Sequence, residues 1–314
     1  MKGKITVTGA NIVFFTFIMG YLFFQMILSV LAAFYGISFI NNNIYKISLI
    51  NEYIIILVPT LLYAIIYRLN FRHVFRINKL KPVPLLLIVA MAIPTYFAAA
   101  SFNNIIVFLL QFIGDVPAKQ IPVPKNLGGL LQGLFTVALT PAICEEMLHR
   151  GILLKAYEKR GTLRAVIITS IFFGFFHFDI TNLIGPIFIG LVIGYYVIRT
   201  NSIFAGMLAH FLNNAIAEII LFFAGDDIIS ESAAKIRPQD LAVVILCGIA
   251  GLALLKYLLK IFKKHTEDTA ILTPPISSPK HDAISVLSHW PVISALVIYF
   301  IVVLVFVLSL AFAK

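Results

Sequence analysis

Charge is scarce in this sequence. Only 12% of its 314 residues are Asp, Glu, Lys or Arg, against 61% hydrophobic, and a mean hydropathy of +0.99 is beyond what a water-soluble domain sustains. Cysteine is scarce too: Cys144 and Cys247 fall in separate apolar runs, which leaves no basis for a disulfide framework or a Cys-x-x-Cys metal site. A basic face is also missing. The net charge of +10 comes from Lys and Arg scattered at the ends of apolar runs, so no nucleic-acid partner is expected. No internal repeat is visible, and with it the paired broken helices of an inverted-repeat transporter are absent.

Apolar runs long enough to cross a hydrocarbon core of roughly 30 Å are abundant. They predict an all-α, polytopic membrane bundle, a single domain over residues 1–314, with spans at 10–38, 48–67, 84–113, 127–157, 165–179, 183–199, 202–224, 241–262 and 291–313. The first run, from Ile12 to Ile40, is too long for a signal peptide and is expected to be a retained helix. Pro94 and Pro141 are candidate kinks in the long third and fourth spans. The short fifth span is expected to be enclosed by other helices. Residues 263–290, with the string TPPISSPK, read as a flexible cytoplasmic linker before the last helix.

Placing the N-terminus in the cytoplasm puts most of the 24 Lys and Arg on one side. The exceptions are Lys46, Lys119, Lys125, Lys235, Arg237 and Lys314, with Arg150 inside a span. This asymmetry predicts a multi-pass protein of the cell membrane, oriented with its basic loops inside and with membrane lipids as its immediate partners.

An ionisable group at bilayer depth costs a few kcal/mol or more unless paired or hydrated, which makes each one a functional candidate. Three clusters stand out: Glu145, Glu146, His149 and Arg150 in CEEMLHR; His177 at the end of FFGFFH; and His210, Asn213 and Asn214 in HFLNN, with Glu218 one turn further on. Glu146 and Arg150 are i, i+4 neighbours suited to a structural ion pair. Glu145 stands in the same relation to His149, and His210 to Asn214. At 1.5 Å per residue, Glu145, His177, His210 and Asn214 all lie roughly 12 to 20 Å from the basic ends of their helices, so the clusters can meet.

Two mechanisms suit this set. In one, Glu145 with His177 deprotonates a water, and His210 and Asn214 donate to the oxyanion on a scissile carbonyl. In the other, Glu145, His177 and His210 hold zinc with one position open for water. Against the metal stand the absence of a His-Glu-x-x-His string and of a carboxylate to orient either imidazole. Phe173 and its aromatic neighbours read as packing, and Cys144 as a small buried filler. His149 and Glu218 are recommended by position on a helix face alone.

EEMLHR, FGFFH and HFLNN resemble the EExxxR, FxxxH and HxxxN motifs of the CAAX-protease and bacteriocin-processing family of intramembrane endopeptidases. The resemblance covers about a third of the chain, with the catalytic helices over 127–224. It implies an eight-helix core, a site open to cytoplasm and membrane, and cleavage of a lipidated or membrane-bound peptide substrate. It assigns Glu145, Glu146, Arg150, His177, His210 and Asn214 to the motif positions. The family is described as metalloproteases, with the metal requirement disputed, so the cofactor is a divalent metal such as zinc or none. A ninth helix departs from the implied core. The alternative is a non-proteolytic scaffold, immunity protein or transporter that uses the same polar cluster.

Overall fold

The computed structural model describes residues 3–117, 122–225 and 235–312. Lys2, Lys119 and Lys314, which entered the orientation argument, and the end of the last expected span lie outside them. Every regular element among the described residues is helical. Eight helices among the described residues are long and apolar enough to cross a membrane: α1 (Val7–Tyr35), α2 (Ile44–Ile66), α3 (Pro82–Leu110), α4 (Leu127–Arg160), α6 (Ile180–Thr200), α7 (Ile203–Ala224), α8 (Pro238–Lys264) and α9 (Trp290–Phe312). Between α4 and α6 lies α5 (Thr162–Phe175), apolar but with only 14 residues. The chain is a multi-pass membrane protein, and its apolar residues face lipid on the outside, as Phe23, Leu86 and Leu304 do.

α5 is short for a reason other than the one expected. It is not enclosed: Leu163, Ile167 and Ile171 form an exposed stripe, while Ala165, Val166, Thr169, Phe172 and Phe173 face inward. Its 14 residues span about 21 Å, less than a hydrocarbon core of roughly 30 Å. The turn that follows therefore lies at membrane depth, where bare backbone is tolerated only if it is satisfied by protein or water. Here protein does it. Asp179 accepts from Thr181 N (2.8 Å), and Asn103 on α3 accepts from Gly185 N (2.8 Å) while donating to Asn182 Oδ1 (2.7 Å).

Three stretches among the described residues are wound as π-helix, in α2 and α4, which carry Glu52, Glu145 and Glu146. In α2 it is Asn51–Leu57, and in α4 Leu134–Leu139 and Met147–Leu153; each is wound as π-helix. The first two end just before Pro59 and Pro141, residues that cannot donate to the carbonyl four positions back. For Pro141 that carbonyl belongs to Val137, and a side chain from another helix takes it up, as described below.

Residues 263–290 are tied to the bundle in place of forming a free linker. Arg199 Nε donates to Thr266 Oγ1 (3.0 Å), Thr269 Oγ1 to Arg199 O (2.8 Å), and Thr162 and Thr273 exchange backbone and hydroxyl hydrogen bonds. Gly161, at φ +103°, lets the chain pass against Pro275, where a Cβ would come within 2.8 Å of backbone. A short helix, Pro279–Leu287, then presents Asp282 to Arg160 (2.9 Å) and Arg164 (2.5 Å). The polar, proline-bearing composition gave no hint of this, because the partners lie on the distant ends of α4, α5 and α6.

Burial pushes the Asp282 carboxyl up, but hydrogen bonds from Ser277, Arg160 and Arg164 outweigh it and hold the group at about 2. A depressed acid adds stability that is complete above its unfolded pKa of about 4 and lost as pH falls toward about 2. Pepsin digestion across that window should release the segment progressively. Asp282→Asn should open Lys280 to trypsin already at neutral pH, with the transmembrane helices left intact.

Candidate active site

α4 supplies the acids. Glu146 and Arg150 form the expected pair, Nη1 to Oε1 at 2.9 Å, with both side chains buried. Arg150 also donates to the Gly190 carbonyl of α6 (3.1 Å) and lies over the Phe173 ring, 4.7 Å from its centroid. α7 comes close enough to join them because Gly206 has no side chain: a Cβ there would stand 2.9 Å from Glu146 Oε2. One turn on, His210 Nδ1 meets Glu146 Oε1 at 3.0 Å, and its Nε2 lies 4.0 Å from Glu145 Oε2. His210 thus stands between the two carboxylates.

Glu145 is buried, and its Oε2 has no hydrogen-bond partner among the described residues. The i, i+4 neighbour expected to share its side chain does something else: His149 Nδ1 bonds the Glu145 backbone carbonyl (3.0 Å). His177 is held in the same manner, Nδ1 to the Phe173 carbonyl at 2.8 Å. Carbonyl and carboxylate oxygens only accept, so all three imidazoles carry their proton on Nδ1, and the buried Nε2 of His149 has no hydrogen-bond partner among the described residues. Phe178, directly after His177, takes a left-handed φ of 50°, an unfavourable conformation for a bulky residue and one that helps fix where the imidazole points.

Phe173 corrects the reading of it as mere packing. Its ring meets His149, His177 and His210 edge to face, with centroid separations of 5.0, 5.2 and 5.6 Å, in addition to Arg150. It is the partition that sets the imidazoles apart from each other. His177 reaches the cluster beside Phe173, and His210 Nε2 stands 4.0 Å from the Glu145 carboxylate.

Asn214 donates from Nδ2 to the Val137 carbonyl (3.1 Å), the one left without its helical donor by Pro141. Asn213 Nδ2 in turn bonds Asn214 Oδ1 (3.1 Å). One hydrogen of the Asn214 amide remains for other use. Glu218 is buried further along α7 against Gly133 of α4, one carboxylate oxygen unpartnered.

A further acid was missed in the sequence. Glu52, within the π-wound stretch of α2, is 5% exposed, accepts only a long 3.5 Å contact from Asn51, and lies within electrostatic range of Glu145 and Cys144. The signal was available: an Asn-Glu pair inside the expected span 48–67 breaks its apolar run. Cys144 itself is a buried filler at the α2–α4 contact.

Among the described residues, no three His, Cys, Asp or Glu side chains converge as a metal-binding group. Glu145, His177 and His210, the set a zinc ion would need, do not fit as a ready-made triad, since the Phe173 ring stands against both imidazoles.

Residues 127–216 match the family model described as type II CAAX prenyl endopeptidase Rce1-like. This segment, under a third of the chain, is similar to the CAAX-protease family. It contains Glu145, Glu146, Arg150, His177, His210 and Asn214, and leaves Glu52 and Glu218 outside. The matched segment lies within a bundle in which, among the described residues, eight helices are of membrane length. No curated protein and no solved structure matches the chain.

Proposed function

We propose that this protein hydrolyses a peptide bond in a lipidated or membrane-associated peptide, at a site on α4, α5 and α7 reached from the cytoplasmic half of the cell membrane. The observation that carries the reading is the buried, unpartnered Glu145 Oε2 beside His210 Nε2.

Glu145 Oε2 and His177 Nε2 hold the attacking water. Glu145 takes one of its protons as the water oxygen bonds to the scissile carbonyl carbon, and later passes that proton to the leaving amine. The carbonyl oxygen becomes an oxyanion, which the free amide hydrogen of Asn214 stabilises. His210 adds a second donor when its ring carries both protons. Glu146, already bonded to Nδ1, holds the ring so that Nε2 faces Glu145. Arg150 holds Glu146 in place. The N-terminus lies in the cytoplasm in this reading, on the side where most Lys and Arg collect.

The test uses the full chain in liposomes with a fluorogenic S-farnesylated peptide, its unlipidated twin, and each reaction repeated with a chelator. Cleavage of the lipidated peptide at one internal bond, at least about tenfold above the twin and unchanged by chelation, is the expected result. Loss of cleavage on chelation that added zinc restores would replace the glutamate mechanism by a metal-bound water. No cleavage of any membrane peptide would leave the scaffold or immunity reading in its place.

A further inference from the structure

α8 packs along α3, and α6 also packs on α3; α6 and α8 meet at the basic side of the bundle, where Tyr196 packs on Phe262 and Arg199 donates to the Lys263 carbonyl, and they leave a gap on their outer side. The gap between them is a groove of about 530 Å³ that opens outward. Its walls are apolar: Phe188 and Tyr195 from α6, and Leu252, Leu255 and Leu259 from α8. Its other lining residues include Lys256, Lys260 and Lys263.

These lysines do more than mark a helix end. Orientation requires positive charge near the terminus at any angle around the helix, whereas Lys256, Lys260 and Lys263 fall at i, i+4 and i+7, on the one face that lines the groove. Lys256 lies eight residues before the α8 terminus at Lys264, about 12 Å along the helix, deep for an ammonium unless an anion meets it or its stem carries it outward. Among the described residues the lysines in ion pairs are Lys81, Lys155 and Lys235, so none of the three has an acidic partner. An apolar trough ending in unpaired cations at headgroup level matches one kind of molecule, with a hydrocarbon chain at one end and a negative charge at the other.

We infer that the α6–α8 groove binds an anionic phospholipid, its acyl chain along Phe188, Tyr195 and the α8 leucines and its phosphate among Lys256, Lys260 and Lys263. The lipid fills the outer groove beside the α6–α8 contact. It also braces α6, the helix whose Gly190 carbonyl receives Arg150.

The full chain in nanodiscs of phosphatidylcholine with a minor share of phosphatidylglycerol, released into the gas phase for native mass spectrometry, tests this. Wild type should retain phosphatidylglycerol in preference to phosphatidylcholine. The triple variant Lys256→Gln/Lys260→Gln/Lys263→Gln should lose that preference by at least about tenfold, since each lysine near an anionic surface adds to binding. Leu259→Trp, which fills the groove and keeps every charge, should lose it too. Lys264→Gln/Lys280→Gln, off the groove, should not. Millimolar inorganic phosphate should leave the retained lipid in place. The idea fails if the triple variant keeps its phosphatidylglycerol, if the off-groove variant loses as much, or if phosphate alone displaces the lipid. Displacement by the farnesylated peptide at stoichiometric amounts would make the groove a substrate site and overturn it equally.

Discussion

Glu145→Gln is expected to lower kcat for the lipidated peptide by about 10³-fold, with little change in Tm. Glutamine keeps the volume of the side chain and an oxygen that can still accept, so the walls around it need not move. What disappears is the ability to take a proton from water and return it to an amine. The unpartnered Oε2 makes the contrast sharp, because no structural hydrogen bond of the native fold depends on it. An uncompensated buried acid is a burden to the fold, so stability should hold or rise slightly. Glu146→Gln is the control. It strips Arg150 and His210 of their charged acceptor together, and both Tm and activity should fall. A Glu145→Gln enzyme that retains a tenth of wild-type kcat, measured by peptide cleavage in liposomes, would remove Glu145 from the proton-transfer step.

Local spacing made part of this site legible. The Glu146–Arg150 pair follows from i, i+4 geometry within one helix, and the membrane spans from the length of apolar runs. The meeting of α4 with α7 was foreseeable from depth, since polar residues at similar distances from the same membrane face have few other places to go. What stayed hidden depends on angles around helices that are long in sequence separation. Periodicity cannot say that Phe173 faces three imidazoles and not lipid, because a phenylalanine suits either surface. It cannot say that His149 spends its Nδ1 on the Glu145 backbone instead of the carboxylate. Pro141 was visible as a candidate kink. That Asn214 would bind the carbonyl it frees required knowing that α7 passes there. Glu52 was overlooked because attention went to clusters, and a lone acid next to Asn51 is a cluster only once α2 is laid against α4.

Arg150→Ala should be the most damaging single change to the fold, and a compensating pair separates its two roles. Removing the guanidinium leaves Glu146, at 0% exposure, with the His210 hydrogen bond but without its ion pair, strips the Gly190 carbonyl of a donor, and empties the space over Phe173. Breaking a buried pair from one side costs about 3–5 kcal/mol, enough to prevent recovery of folded protein from detergent. Arg150→Lys restores the charge but not the two-directional fork or the stacking, and should recover only part of the loss. In Glu146→Leu/Arg150→Met both charges go, the cavity stays filled, and Tm should return close to wild type, as buried ion pairs replaced by apolar residues often allow. Activity should not return, because His210 Nδ1 then has no carboxylate to hold the ring in place. A double variant that is both stable and fully active, by Tm and by cleavage of the farnesylated peptide, would reduce Glu146 and Arg150 to scaffolding and detach His210 from the oxyanion.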